Sequence, residues 1–206
     1  GLGSSKIEIE GVEKLSGGTF KVMPDRIEAA TYMAAIASVG GKVALFNANI
    51  NHLSAVMAKL KESGLNFFLK EDCIEIEMLN EQPKSVDIKT APYPGFPTDM
   101  QAPFTVINAL AKGTSVIEET IFENRLMHVP ELRRMGANIS VKDNIARIDG
   151  RAELFGAEVT ASDLRASAAL IIAGLAAKGE TIISGLEHVE RGYEDIQDKF
   201  KRLGAE

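Results

Sequence analysis

One carboxylate and three guanidinium groups stand out as the side chains able to do chemistry. Asp99 lies in PGFPTDMQA, where two prolines and Gly95 stiffen the approach to a predicted helix start. A carboxylate held in a fixed direction can take a proton, or a hydrogen bond, from a hydroxyl group. Arg125 falls in FENRLMHVPELRRMGA, Arg165 in SDLRAS and Arg191 in VERGYED. The last two are expected near helix N-termini, where a positive charge opposes the helix dipole, so tertiary structure or a ligand must account for them. Helix N-termini and guanidinium groups together suit a phosphate or a carboxylate. The plainer readings are a helix cap for Asp99 and surface ion pairs for the arginines. His128 reads as a helix-start or packing residue, because nothing pairs it with a nucleophile. Cys73, in KEDCIEIEM, has no basic neighbour placed to activate it.

What must position these groups is a threefold repeat. PDRIEA, PTDMQA and ASDLRA share an aspartate, an apolar residue, a polar residue and alanine, with the aspartates at 25, 99 and 163. Each motif leads into a helix-like apolar run (Tyr32–Val39, Phe104–Ala111, Ala168–Ala177) that ends near a glycine. A β-branched run and a second amphipathic stretch follow. That stretch closes on Gly64, Gly136 or Gly204, which lie 39, 37 and 41 residues beyond the three aspartates. Strand-like pairs lie between the units: CIEIEML with VDIKT, then ISVK with ARIDG and AEVTA. KIEIEGV and TFKVM precede the first unit. The expected fold is therefore α/β, a pseudo-threefold repeat of ββαβα units in one domain, with one helix of each unit buried centrally. Asp as N-cap and Gly as terminator account for all three aspartates without invoking function.

Composition narrows the classes. Against 29 acidic residues stand 23 Lys and Arg, a net charge of −6, which argues against a general nucleic-acid binder. A single cysteine forbids an internal disulfide and fits a reducing, cytoplasmic setting. No His/Cys spacing suits a metal, no glycine-rich loop suits a nucleotide cofactor, and no apolar run is long enough for a membrane span. The start lacks both the basic opening and the apolar core of a signal peptide. Neither metal nor cofactor is expected.

TAPYPGFPTDMQAPF, FENRLMHVPELRRMGA, SDLRASAALIIAGLAAKGET and ERGYEDIQDKFKRLGAE resemble the enolpyruvyl transferases, in particular the family acting on UDP-N-acetylglucosamine. The resemblance runs from about Lys6 to Glu206. It implies an inside-out α/β barrel lobe, and a reaction that moves enolpyruvyl from phosphoenolpyruvate to the sugar 3-hydroxyl with release of phosphate. It further implies that Asp99 meets that hydroxyl as general base and that Ile121 contacts the UDP-sugar. Arg191 would lie on the phosphoenolpyruvate side, Arg125 and Arg165 would stabilise charge, and Asp163 would stand beside the reacting centre. Such enzymes have two lobes with the site between them, and this chain matches one. Residues 1–22 would be crossover strands from the other lobe and 23–206 the lobe itself, inactive without its partner. The alternative is a non-catalytic module that binds a UDP-sugar or another protein.

Overall fold

The computed structural model describes residues 1, 3–4, 6–79 and 82–205. The first unit holds α1 (Arg26–Val39), β1 (Gly41–Phe46), α2 (Ser54–Ser63), β2 (Asn66–Leu69) and β3 (Cys73–Met78). The second holds β4 (Ile88–Lys89), α3 (Gln101–Leu110), β5 (Thr114–Glu118), α4 (Val129–Arg134), β6 (Asn138–Lys142) and β7 (Ile145–Asp149). The third holds β8 (Glu158–Thr160), α5 (Leu164–Ala176), β9 (Ile182–Ser184) and α6 (Ile196–Arg202).

Capping sets two of the three inner helices. The Asp25 carboxylate accepts from the N–H groups of Ile27 and Glu28 to open α1, and Asp163 accepts from Arg165 and Ala166 to open α5. The three inner helices α1, α3 and α5 pack on one another. All of α3 is buried, as an all-round apolar helix should be. Its Phe104 meets Phe96 edge-on at 4.9 Å, a geometry that adds about 1 kcal/mol to the burial itself. Asn108, one of three buried polar residues on α3 with Gln101 and Thr105, donates to the Val86 carbonyl and accepts from the Val86 N–H, so its burial is compensated and the approach to β4 is tied to the helix.

Around the helices stand three sheets, one per unit. Their orders are β1-β3-β2, β4-β5-β7-β6 and β8-β9. The leading strand runs parallel to its partner in the second and third sheets (Ile88 beside Ile117, Glu158 beside Ile182), and the remaining pairs are antiparallel. Helices inside and sheets outside give the inside-out arrangement and the threefold α/β repeat expected from the sequence.

Gly156 shows how closely the layers approach. A Cβ there would sit 2.1 Å from the Glu180 carbonyl oxygen, so β8 could not lie beside the turn into β9. Gly156→Ala is expected to cost about 2 kcal/mol, read as a lower denaturant midpoint at unchanged slope.

The strands differ from expectation in three places. KIEIEGV and TFKVM form neither helix nor strand, and Ile7, Ile9, Phe20 and Val22 are exposed. A two-stranded ribbon without a sheet to join is marginal in water. CIEIEML and VDIKT are not partners: β3 joins β1 and β2, whereas β4 joins β5. The Asn66–Leu69 strand went unread because NFFL has aromatic content but no polar–apolar alternation. Among the described residues no helix is long and apolar enough to cross a membrane.

Candidate active site

Asp99 does not cap its helix. It lies in a 3-10 turn, Thr98–Met100, ahead of α3, and its side chain makes no capping bond. Each carboxylate oxygen instead accepts from a different arginine: Arg125 Nη2 at 2.8 Å and Arg165 Nη2 at 3.0 Å. Both guanidinium groups are largely buried, at 12% and 14% exposure, while the carboxylate remains 35% exposed. A carboxylate offers about four lone-pair directions. Two are occupied, so the open side can still receive a hydroxyl.

The segment before Asp99 explains its aim. Ala91 N–H donates to Phe96 O, Gly95 N–H donates to Pro92 O, and a Cβ on Gly95 would lie 2.6 Å from that of Ala91. Only glycine lets this loop fold tightly on itself. Thr98 then donates to Glu119, a nearly buried carboxylate at the end of β5. Glu119 also accepts from Thr90 Oγ1 and from the N–H groups of Ile121 and Phe122. One acid thus fixes both the Asp99 turn and the loop that carries Ile121 and Arg125. Glu119→Ala is expected to lower stability by about 2 kcal/mol, measured by thermal melting, because buried donors lose their acceptor.

Arg125 is turned toward Asp99 by a left-handed Asn124 (φ 56°) and lies over the Phe122 ring at 4.7 Å. Ile121 is exposed on the same loop. Arg165, in the first turn of α5, also donates to the Tyr193 hydroxyl at 3.1 Å, and that hydroxyl meets Thr31 Oγ1 of α1 at 2.9 Å. Burial disfavours the charge on Arg165, but its bond to Asp99 and its contact with Tyr193 raise its pKa nonetheless. All three units therefore meet at one end of the inner helices. Asp163 caps α5 beside them. Burial opposes its charged form, yet the N–H groups of Ala166 and Arg165 and the Arg125 charge hold its carboxyl below the usual range.

Arg191 stands apart. It ends a 3-10 turn, Leu186–Arg191, rather than beginning a helix, so the dipole argument made for it does not apply. Its side chain is exposed and makes no hydrogen bond to the Asp99 cluster among the described residues. His128 occupies the start of α4, buried with its Nε2 unpartnered, in keeping with a packing role. Burial and the nearby Asp72 and Glu75 carboxylates push the half-buried Cys73 thiol up, which keeps it a poor nucleophile. Sequence reading passed over Glu119, Thr31 and Tyr193. The one available signal was an acid, Glu119, at the end of an apolar strand.

Known proteins resemble this chain in sequence and fold. The family model for EPSP synthase (3-phosphoshikimate 1-carboxyvinyltransferase) matches residues 2–200. A UDP-N-acetylglucosamine 1-carboxyvinyltransferase of Klebsiella pneumoniae is 52% identical over 205 residues, covering 100% of this chain and 49% of the relative. One of Shewanella baltica is 53% identical over 206 residues with the same coverage. The chain thus spans about half the length of the curated relatives it matches. The solved structure of the enolpyruvyl transferase NikO from Streptomyces tendae superposes with a TM-score of 0.81 at 27% identity, covering 90% of this chain and 44% of that one. EPSP synthase from Acinetobacter baumannii, at 19% identity and a TM-score of 0.60, shares the fold over 86% of this chain and 44% of its own. With a family model matched along nearly its whole length and its inner helices and sheets in the enolpyruvyl transferase arrangement, the chain belongs to the EPSP synthase (3-phosphoshikimate 1-carboxyvinyltransferase) family.

Proposed function

We propose that this chain is one lobe of a cytoplasmic enzyme that transfers enolpyruvyl from phosphoenolpyruvate to the 3-hydroxyl of UDP-N-acetylglucosamine, releasing phosphate. That is the first committed step of peptidoglycan synthesis. The observation that carries the reading is the Asp99 carboxylate, held by Arg125 and Arg165 with one side open, in a chain that matches UDP-N-acetylglucosamine 1-carboxyvinyltransferases along its length. Asp99 takes the proton of the sugar hydroxyl as the sugar oxygen bonds to C2 of phosphoenolpyruvate, whose methylene carbon takes up a proton; loss of a methyl proton then restores the double bond as the C2–O bond to phosphate breaks. Arg125 and Arg165 balance the negative charge of the reacting groups, and Asp163 fixes the backbone that carries Arg165. Ile121 contacts the UDP-sugar from the loop above. Arg191, exposed in this lobe, meets phosphoenolpyruvate where the second lobe closes over it.

Residues 1–22 are the crossover from that second lobe and 23–206 the lobe proper. Alignment of two substrates and exclusion of water require both walls of a cleft, so this half alone binds weakly and does not turn over. Titration of the isotope-labelled chain with UDP-N-acetylglucosamine, followed by NMR, tests the assignment. Amide shifts concentrated at Asp99, Ile121–Arg125 and Arg165 are expected. Shifts elsewhere, or none at saturating sugar nucleotide, would refute it.

A further inference from the structure

Arg165 spends only one of its terminal nitrogens on Asp99. While Nη2 meets that carboxylate at 3.0 Å, Nη1 donates to the Tyr193 hydroxyl at 3.1 Å, and the guanidinium carbon lies 5.6 Å from the centre of the Tyr193 ring. Tyr193 is 2% exposed, and Thr31 behind it is fully buried. The guanidinium is therefore fixed at both ends and along one face. Its own backbone is fixed as well, because the Asp163 carboxylate accepts from Arg165 N–H.

The direction of this row follows from its donors. A guanidinium only donates, so the Tyr193 oxygen accepts from Arg165. Thr31 Oγ1 gives its single proton to the Ile27 carbonyl at 2.9 Å, so in its 2.9 Å contact with Tyr193 it accepts. Protons thus point one way, from Arg165 to Tyr193, to Thr31 and on to a carbonyl of α1. Each hydroxyl in the row is satisfied as donor and as acceptor, and bonds in such a row polarise one another.

The Tyr193 backbone has a second attachment. It follows the turn Leu186–Arg191 by two residues, and its N–H donates to Val189 O within that turn. Gly192, between them, packs so closely on Leu164 that a Cβ would come within 2.9 Å of its side chain. The turn that presents Arg191 is pinned beside the start of α5, at the residue next to Arg165.

We propose that Tyr193 is a positioning residue for the transfer reaction: its hydroxyl aims Arg165 at Asp99, and its buried ring holds the turn that carries Arg191. The role rests on the function proposed above. Without the hydroxyl, the guanidinium keeps its bond to Asp99 but loses its second fixed point. It then swings about that bond and no longer faces the reacting groups in one orientation. Tyr193→Phe removes this hydroxyl alone and leaves Thr31 its own bond to Ile27.

Two measurements separate the tether from the reaction. On the isotope-labelled chain, NMR of the guanidinium groups should show the Arg165 N–H protons distinct and slow to exchange. Tyr193→Phe should make them average and exchange faster, while those of Arg125 stay as they were. In the chain joined to the complementary half of the Klebsiella pneumoniae relative, Tyr193→Phe should lower kcat for phosphate release about tenfold and leave KM for phosphoenolpyruvate within about twofold, because one bond to a charged group is lost and the Arg191 turn stays. Tyr193→Leu, which removes the ring too, should raise that KM. In an Arg165→Lys background, Tyr193→Phe should have little further effect on kcat, since lysine has no second nitrogen to tether. Unchanged Arg165 signals in Tyr193→Phe overturn the proposal, as does an equal loss of kcat with Arg165 or with lysine in its place. A joined polypeptide of unaltered sequence that releases no phosphate overturns the role together with the proposed function, and the guanidinium measurement still decides the tether.

Discussion

With Asp99 replaced by asparagine, an enzyme completed by its second lobe is expected to lose about 10²–10⁴-fold in kcat, while KM for the sugar nucleotide changes far less. Asparagine keeps the size and planarity of the side chain but has no basic oxygen to receive the hydroxyl proton. Its amide nitrogen would also face one of the two guanidinium donors that Asp99 now satisfies. That mismatch should cost the isolated lobe about 1–2 kcal/mol, so melting curves on the lobe and rates on the complete enzyme report separate consequences. An unchanged kcat would remove Asp99 from the chemistry and leave it a structural clamp.

Acidification should expose a second feature of the site. Between about pH 6.5 and pH 4 the chain is expected to lose about 3 kcal/mol of stability through His128 alone. Burial lowers the pKa of this imidazole from 6.5 to about 4, helped by the Arg125 charge and opposed by Asp163 and by its bond to the Arg125 backbone. The unfolded chain therefore takes up the proton first. The contribution is complete above pH 6.5, falls as pH drops through the window, and is gone below about pH 4. Asp163 works in a lower window, because its depressed carboxyl contributes stability above its ordinary value of 3.8 and loses it below. Unfolding by urea across this range should show a slope that His128→Asn flattens between pH 6.5 and 4 and leaves intact beneath it. A slope identical in both proteins would mean that His128 is not held neutral.

The inner helices were legible because their pattern is local. An aspartate that frees its side chain to cap, an apolar run and a glycine need no tertiary knowledge, and α1 and α5 form on those terms. Asp99 shares the motif but not the outcome. Pro97 and the tight Gly95 loop place it inside a 3-10 turn, where its carboxylate cannot reach the helix N–H groups and turns instead to arginines 26 and 66 residues further along the chain. A capping motif cannot report that choice, because the partners come from other units. The same limit hid Glu119, whose four donors come from residues 90, 98, 121 and 122. Arg165 was picked out by its conflict with the helix dipole, and the conflict is resolved by Asp99. Arg191 was read by the same rule and wrongly placed, since the turn it belongs to runs up to it rather than away from it. Strand pairing was the least legible feature. β3 and β4 are neighbours in sequence with no helix between them and yet belong to different sheets.

The central claim is that this chain forms one wall of a two-walled site. Phosphate release from phosphoenolpyruvate in the presence of UDP-N-acetylglucosamine tests it most directly. The assay compares the chain alone with the same chain joined to the complementary half of the Klebsiella pneumoniae relative. No release by the lone chain and sustained release by the joined polypeptide, abolished by Asp99→Ala, is the predicted result. Release by the lone chain that disappears with Asp99→Ala would show that one lobe builds the site unaided and would contradict the account. A joined polypeptide that folds and binds the sugar nucleotide, yet liberates no phosphate, would contradict it equally.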